Sequence, residues 1–201
     1  MTSDEQEQHF DRLPPGQNQV KRLLRWGIDH PGITPSNPKI DLKTYILTVD
    51  GEVEKPLKLR WNEVVGIPKV QSVSDFHCVE GWSVLNCKWE GIRFEEIVNL
   101  VKPKGTAKFV TFECADGYAT SLSLSELSGD DVLLAYGLDG KPLEEGLGFP
   151  LRLIVPNKYG YKSALWVTRI RFTKIKEVGY WEKRGDSDTA DVWKNDRFSK
   201  R

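Results

Sequence analysis

Residues 75–82 read Asp-Phe-His-Cys-Val-Glu-Gly-Trp, a single cysteine between a histidine and a glutamate. A thiolate is a soft metal ligand, held deprotonated by a bound metal or by nearby positive charge. Cys78 ends an alternating run where a strand gives way to a turn, and it reads as a metal ligand at the centre of an active site. Cys87 and Cys114 read instead as small buried hydrophobes, the common condition of free cysteines. A zinc site from His77, Cys78, Cys87 and Cys114 fits no common ligand spacing. Adjacent residues of a strand also point to opposite faces, which separates His77 from Cys78.

Arg152 is the second anomaly, one charge inside Leu151-Arg152-Leu153-Ile154-Val155. A buried charge is costly unless paired. Two readings stand: the solvent side of an edge strand, or a guanidinium fork aimed at a phosphate or oxyanion. Just beyond, Asn157-Lys158-Tyr159-Gly160-Tyr161-Lys162-Ser163 is either a solvated turn or a loop offering N–H groups, a hydroxyl and two cations to an anion. Tyr118, after the turn Asp116-Gly117, is either a packing residue or a hydrogen-bond donor at a pocket mouth.

The elements that must position these residues are mostly strands. Tyr45–Val49 followed by Asp50-Gly51 and Val53 predicts a hairpin, with Leu57–Leu59 continuing the pairing. Val70–His77 alternates and delivers Cys78. Phe94, Ile97, Val98 and Val101 recur in steps of three and four, so the spacing predicts an amphipathic helix over Arg93–Val101. Strands are expected at 109–112, 119–124, 132–136, 151–156 and 164–172. Short helices are expected at 61–65 and, before Pro31-Gly32, at 20–28. The fold class is mixed α+β and β-rich, a single domain over 40–181, with an N-terminal arm (1–39) and a charged C-terminal tail (182–201).

Composition narrows the partners. With 29 basic and 29 acidic residues in a chain of 201, nothing favours nucleic acid or an anionic membrane. No run approaches the roughly 20 apolar residues of a spanning helix. A polar, acidic start and three cysteines without a disulfide framework give an expected soluble, cytoplasmic protein. Seven tryptophans suit a pocket for a flat ligand.

Taken in order, His77-Cys78-Val79-Glu80-Gly81-Trp82-Ser83, Trp89-Glu90-Gly91, Asp116-Gly117-Tyr118 with Thr120-Ser121-Leu122, Leu134-Ala135-Tyr136, Gly148-Phe149-Pro150-Leu151-Arg152-Leu153 and Lys158-Tyr159-Gly160-Tyr161-Lys162-Ser163 with Trp166-Val167 form an ordered set. This set resembles the molybdopterin-binding catalytic domain of the sulfite oxidase family. The resemblance is strongest to its prokaryotic branch, near the methionine sulfoxide reductase catalytic subunit, and spans about Ile40 to Trp181.

The resemblance implies that Cys78 gives its thiolate to molybdenum as the metal's only protein ligand, with one molybdopterin completing the site. Arg152 would contact the pterin phosphate or ring, and Ser163, Ala164 and Leu165 would hold the cofactor through their backbone. Lys158 and Lys162 would add positive charge, and Tyr118 would act on the substrate side. Cys114 and Leu147 stand where the reductase branch has a threonine and an asparagine at cofactor positions. Val79-Glu80-Gly81-Trp82 replaces the Gly-Asn-Arg-Arg type run of animal and plant sulfite oxidases, and part of the arm, Arg25 to His30, would close the pocket. The implied activity is two-electron oxygen-atom transfer to or from a small S-oxide, N-oxide or sulfite-like substrate, with electrons exchanged with a separate partner. A cofactor-binding subunit inactive without its partner and a zinc-stabilised β-rich binding domain are the alternatives.

Overall fold

The computed structural model of the chain describes residues 13–199. Its elements run β1 (Asn18–Gln19), β2 (Ile46–Gly51), β3 (Leu57–Arg60), α1 (Trp61–Val64), β4 (Val70–His77), β5 (Trp82–Arg93), α2 (Phe94–Val101), β6 (Phe109–Cys114), β7 (Ala119–Ser123), β8 (Leu133–Leu138), β9 (Lys141–Pro142), β10 (Arg152–Ile154) and β11 (Val167–Thr173). They form two sheets. The first has the order β1-β5-β8-β10, with β4 also on β5 and β9 on β8; the second is β3-β2-β11-β6-β7.

Period-two burial explains both. In β2, Leu47 and Val49 are fully buried while Ile46 is exposed, the alternation of a strand with one covered face. In α2, Phe94, Ile97 and Val101 turn inward, and the Phe94 ring packs against Phe112 and Phe172 of the second sheet. Leu134 and Leu153 of the first sheet join that same core. Their neighbours Leu133, Ala135 and Ile154 point the other way, into a smaller cluster with Trp89 and Leu23. Arg152 shares the face of Ile154, so the alternation sends it towards Trp89 and not to solvent.

Several expectations change. Residues 20–28 form turns and no helix: Arg22 and Arg25 both fold onto Asp29, and Gly27 takes a φ of +73°. The strand expected from residue 164 begins at Val167, because Trp166 adopts φ +63°, a left-handed conformation that bulky residues avoid. The longest strand, β5, is one that the alternation rule passes over. Residues 1–12 and 200–201 of the expected arm and tail lie outside the described residues, and described parts of both segments pack against the rest of the chain. Leu23 is buried, β1 pairs with β5, and Ala190 and Val192 bury against Tyr159.

Candidate functional site

Cys78 stands where β4 ends. Its N–H donates to the Trp82 carbonyl (2.8 Å) and its own carbonyl accepts from Gly81 N–H (3.0 Å), closing a tight turn. Gly81 sits at φ +98°, and a Cβ there would lie 3.2 Å from the Gly16 carbonyl oxygen. The thiol is half-buried and reaches a cleft of about 240 Å³. Burial pushes the Cys78 thiol up to about 12, against the opposing pull of the Glu80 and Val79 backbone N–H groups and of Arg197. Without a stronger cation it is therefore a thiol, and its Sγ lies 3.9 Å from Glu80 Oε2.

Arg152 lines the same cleft. Its guanidinium lies over the rings of Phe76 (5.1 Å) and Trp89 (5.5 Å). It donates to the carbonyls of Leu147 (2.9 Å) and Ser163 (3.4 Å), while its buried Nε has no acceptor. Burial lowers it to about 10. Among the described residues no carboxylate pairs with it. Ser163, Ala164 and Leu165 line the wall beside it. Ser163 Oγ accepts from Val155 N–H (3.0 Å), and the Trp166 indole donates to the Glu145 carbonyl (2.8 Å), fixing both ends of that segment.

The backbone here is kept bare. A Cβ on Gly148 would meet Leu165 Cβ at 2.9 Å and Arg152 Cβ at 3.0 Å, and one on Gly160 would meet the Phe76 ring at 2.5 Å. At the mouth, Trp26 stacks on His30 (4.4 Å) and meets the edge of Trp181 (6.5 Å). His30 Nε2 bonds Glu80 Oε1 at 2.8 Å, linking the N-terminal segment to the cysteine loop.

A family profile described as "oxidoreductase molybdopterin binding domain" matches residues 34–181. The chain belongs to this family. It is 36% identical over 188 residues to the uncharacterized oxidoreductase YuiH of Bacillus subtilis, covering 94% of this chain and 92% of that one. It is 34% identical over 147 residues to the putative protein-methionine-sulfoxide reductase subunit YedZ1 of Azospira oryzae, 73% of this chain and 56% of the relative. The protein-methionine-sulfoxide reductase catalytic subunit MsrP of Campylobacter jejuni is 32% identical over 159 residues, 71% and 53%. The chain thus spans a little over half the length of these two sulfoxide reductase relatives. The sulfane dehydrogenase SoxCD of Paracoccus pantotrophus shares the fold, with a TM-score of 0.65 at 22% identity over 70% of this chain and 41% of that one.

This molybdopterin-binding oxidoreductase therefore uses molybdenum-molybdopterin as its cofactor, and the cleft fits that group. A buried guanidinium whose Nε finds no acceptor suits the cofactor's phosphate, and a half-buried thiol lining the same cleft suits its metal. Among the described residues no group of three His, Cys, Asp or Glu side chains converges, so the zinc alternative has no ligand set. Among them, too, no helix is long and apolar enough to cross a membrane.

Of the residues singled out in the sequence, Cys78, Tyr118, Arg152, Ser163, Ala164 and Leu165 meet in the cleft. Tyr118 is buried and its hydroxyl donates to the Tyr161 carbonyl (2.5 Å). The structure does not bring Lys158, Lys162 or Cys114 to the cleft wall. Lys158 donates to Glu126 and to the Thr189 carbonyl, both at 2.7 Å. Lys162 is buried in an ion pair with Glu182, and Cys114 lies in the main core. Both lysine charges are thus already countered. Glu80, Trp26, His30 and Trp181 complete the mouth. The contact of Glu80 with His30 spans 50 positions and leaves no local pattern.

Proposed function

We propose that Cys78 is the molybdenum ligand, that Arg152 holds the anionic end of the molybdopterin, and that the enzyme reduces small organic S-oxides. The observation that carries this is the convergence of an unpaired buried guanidinium and a half-exposed thiol on one cleft. When bound, the cofactor supplies a two-electron exchange of one oxygen atom. Every other part of the work falls to the chain.

Arg152 would hold the cofactor's anionic end by a charge-assisted contact, its Nη1 and Nη2 donating to the Leu147 and Ser163 carbonyls. Cys78 would hold the metal as a thiolate, since a coordinating thiol is deprotonated. The N–H groups of Val79 and Glu80 and the charge of Arg197 favour the resulting thiolate. Trp26, His30 and Trp181 wall off water and offer aromatic surface to an organosulfur group. With Tyr118 committed to the Tyr161 carbonyl, its ring shapes the wall and its hydroxyl oxygen remains an acceptor. Glu80, Asp116 and Asp186 also line the cleft, and their negative charge opposes an anion such as sulfite.

The names of the relatives, "subunit" and "catalytic subunit", support delivery of electrons by a separate protein. In the test, dithionite-reduced viologen is mixed with the holoenzyme and methionine sulfoxide, trimethylamine N-oxide or no acceptor. Parallel samples offer sulfite with ferricyanide. Viologen oxidation with the S-oxide is expected. Turnover of sulfite alone would overturn the S-oxide assignment.

A further inference from the structure

The turn that carries Cys78 is held from outside the region the family profile covers. Gln17 Nε2 donates to the Cys78 carbonyl (3.1 Å), and Asn18 N–H donates to the Gly81 carbonyl (2.8 Å). From the other end of the chain, the Arg197 guanidinium spans two carbonyls, Val79 through Nη1 and Gly16 through Nη2 (2.7 Å). A Cβ on Gly16 would lie 2.9 Å from Arg197 Nη2, and one on Gly81 3.2 Å from the Gly16 carbonyl oxygen, so the three segments meet without spare room.

Behind the turn the hydrogen bonds run in one direction. Ser83 Oγ donates to Gln17 Oε1 (2.9 Å), which leaves it to accept from His77 Nδ1 (2.7 Å). His77, Ser83 and Gln17 are all buried. The side-chain amide of Gln17 is therefore oriented, its oxygen facing Ser83 and its nitrogen facing the Cys78 carbonyl. A surface arm would have no cause to bury an amide or to fix its direction.

We propose that Gln17 and Arg197 are positioning residues of the molybdenum site, holding the Cys78–Gly81 turn in the geometry that presents the thiolate to the metal. This rests on the assignment of Cys78 as ligand. Partners one step removed from a ligand typically change metal affinity by about 10- to 100-fold when removed, which sets the expected size.

The experiment compares holoenzyme of the wild type with Gln17→Met, Arg197→Met, Arg197→Lys, Cys78→Ala and Lys176→Met. Molybdenum retention on dialysis, the electron paramagnetic resonance spectrum of the metal and the melting temperature are read for each. Lys176 pairs with Asp188 (2.6 Å) and makes no ion pair with the Cys78–Gly81 turn, so it serves as the control. Gln17→Met and Arg197→Met are expected to lose metal roughly tenfold faster and to shift the spectrum. Arg197→Lys, which keeps the charge, recovers part of both, and Lys176→Met lowers only the melting temperature. Wild-type spectra and retention in both methionine variants would overturn the proposal, as would equal changes in Lys176→Met. Should Gln17→Met fail to fold, Arg197→Lys against Lys176→Met decides it. Retained metal with an unchanged spectrum in Cys78→Ala would instead remove the ligand assignment itself.

Discussion

Arg152 is a cation held among Phe76, Trp89 and two carbonyls. Burying an unpaired charge costs several kcal/mol, while hydrogen bonds to a charged group return about 1.5–3 kcal/mol each. These terms nearly cancel in the cofactor-free protein and leave the guanidinium to be stabilised by the anion it receives. Arg152→Met is accordingly expected to change the unfolding free energy of the cofactor-free protein by no more than about 1–2 kcal/mol. The same variant should lose molybdopterin at least about tenfold more readily than wild type. Urea titration and pterin fluorescence check the two halves; a large loss of stability with full cofactor content would show that the arginine is structural. Arg152 was legible because one charge in an apolar strand is rare, and Cys78 because of the residues around it. The choice between solvent and cleft for Arg152 needed the register of β10 on β8. Lys158 and Lys162 show the converse: sequence displays the charges but not Glu126 and Glu182, which meet them across 32 and 20 positions.

At the scale of elements, β5 does the most to place the site, since β4, which ends just before Cys78, and β8, which positions β10, both pair with it. It carries Asn86 at φ +56° and register shifts against both neighbours. Its apolar residues therefore do not alternate cleanly, and the period-two rule misses it. At Gly91 the approach to β8 is closest: an added Cβ would stand 2.2 Å from the Leu134 carbonyl oxygen and 2.6 Å from Ala135 Cα. Those are backbone atoms that cannot turn aside. Gly91→Ala is expected to destabilise the fold by at least about 1–3 kcal/mol, read as a lower urea midpoint; an unchanged midpoint would mean that the two strands separate freely. The helix α2 was legible almost residue by residue because Phe94, Ile97 and Val101 obey one period and bury on one face. The expected helix at 20–28 failed because the local pairing of Arg22 and Arg25 with Asp29 favours turns.

For the molecule as a whole, the two ends of the described chain fold back beside the cleft, and ion pairs help to hold them. Lys158 ties Glu126 to the Thr189 carbonyl of the C-terminal segment. Burial by itself would raise Glu126, but Lys158 and the N–H and hydroxyl of Ser123 outweigh it and hold the carboxyl at about 2, against an ordinary 4.5. A folded-state value below the unfolded one gives stability that is fully present above pH 4.5 and fades as pH falls towards 2. The interval corresponds to on the order of 3 kcal/mol. Urea midpoints should fall across that window, and Glu126→Gln should flatten the fall; an identical pH profile would remove Glu126 from the acid transition. Sequence showed a β-rich α+β domain because strand patterns are local. The family resemblance pointed to Arg25 to His30 at the pocket, where Trp26 and His30 do line the cleft. No local pattern showed the C-terminal segment reaching the cysteine turn, since contacts such as Arg197 with Gly16 join positions 181 apart.

The most direct test is the molybdenum-to-protein ratio of wild type and Cys78→Ala, purified together from a host that makes molybdopterin. Stoichiometric metal in the wild type and its loss in a folded Cys78→Ala are predicted. Equal molybdenum in both proteins would contradict the account, leaving the cleft to bind the pterin without Cys78 as the ligand.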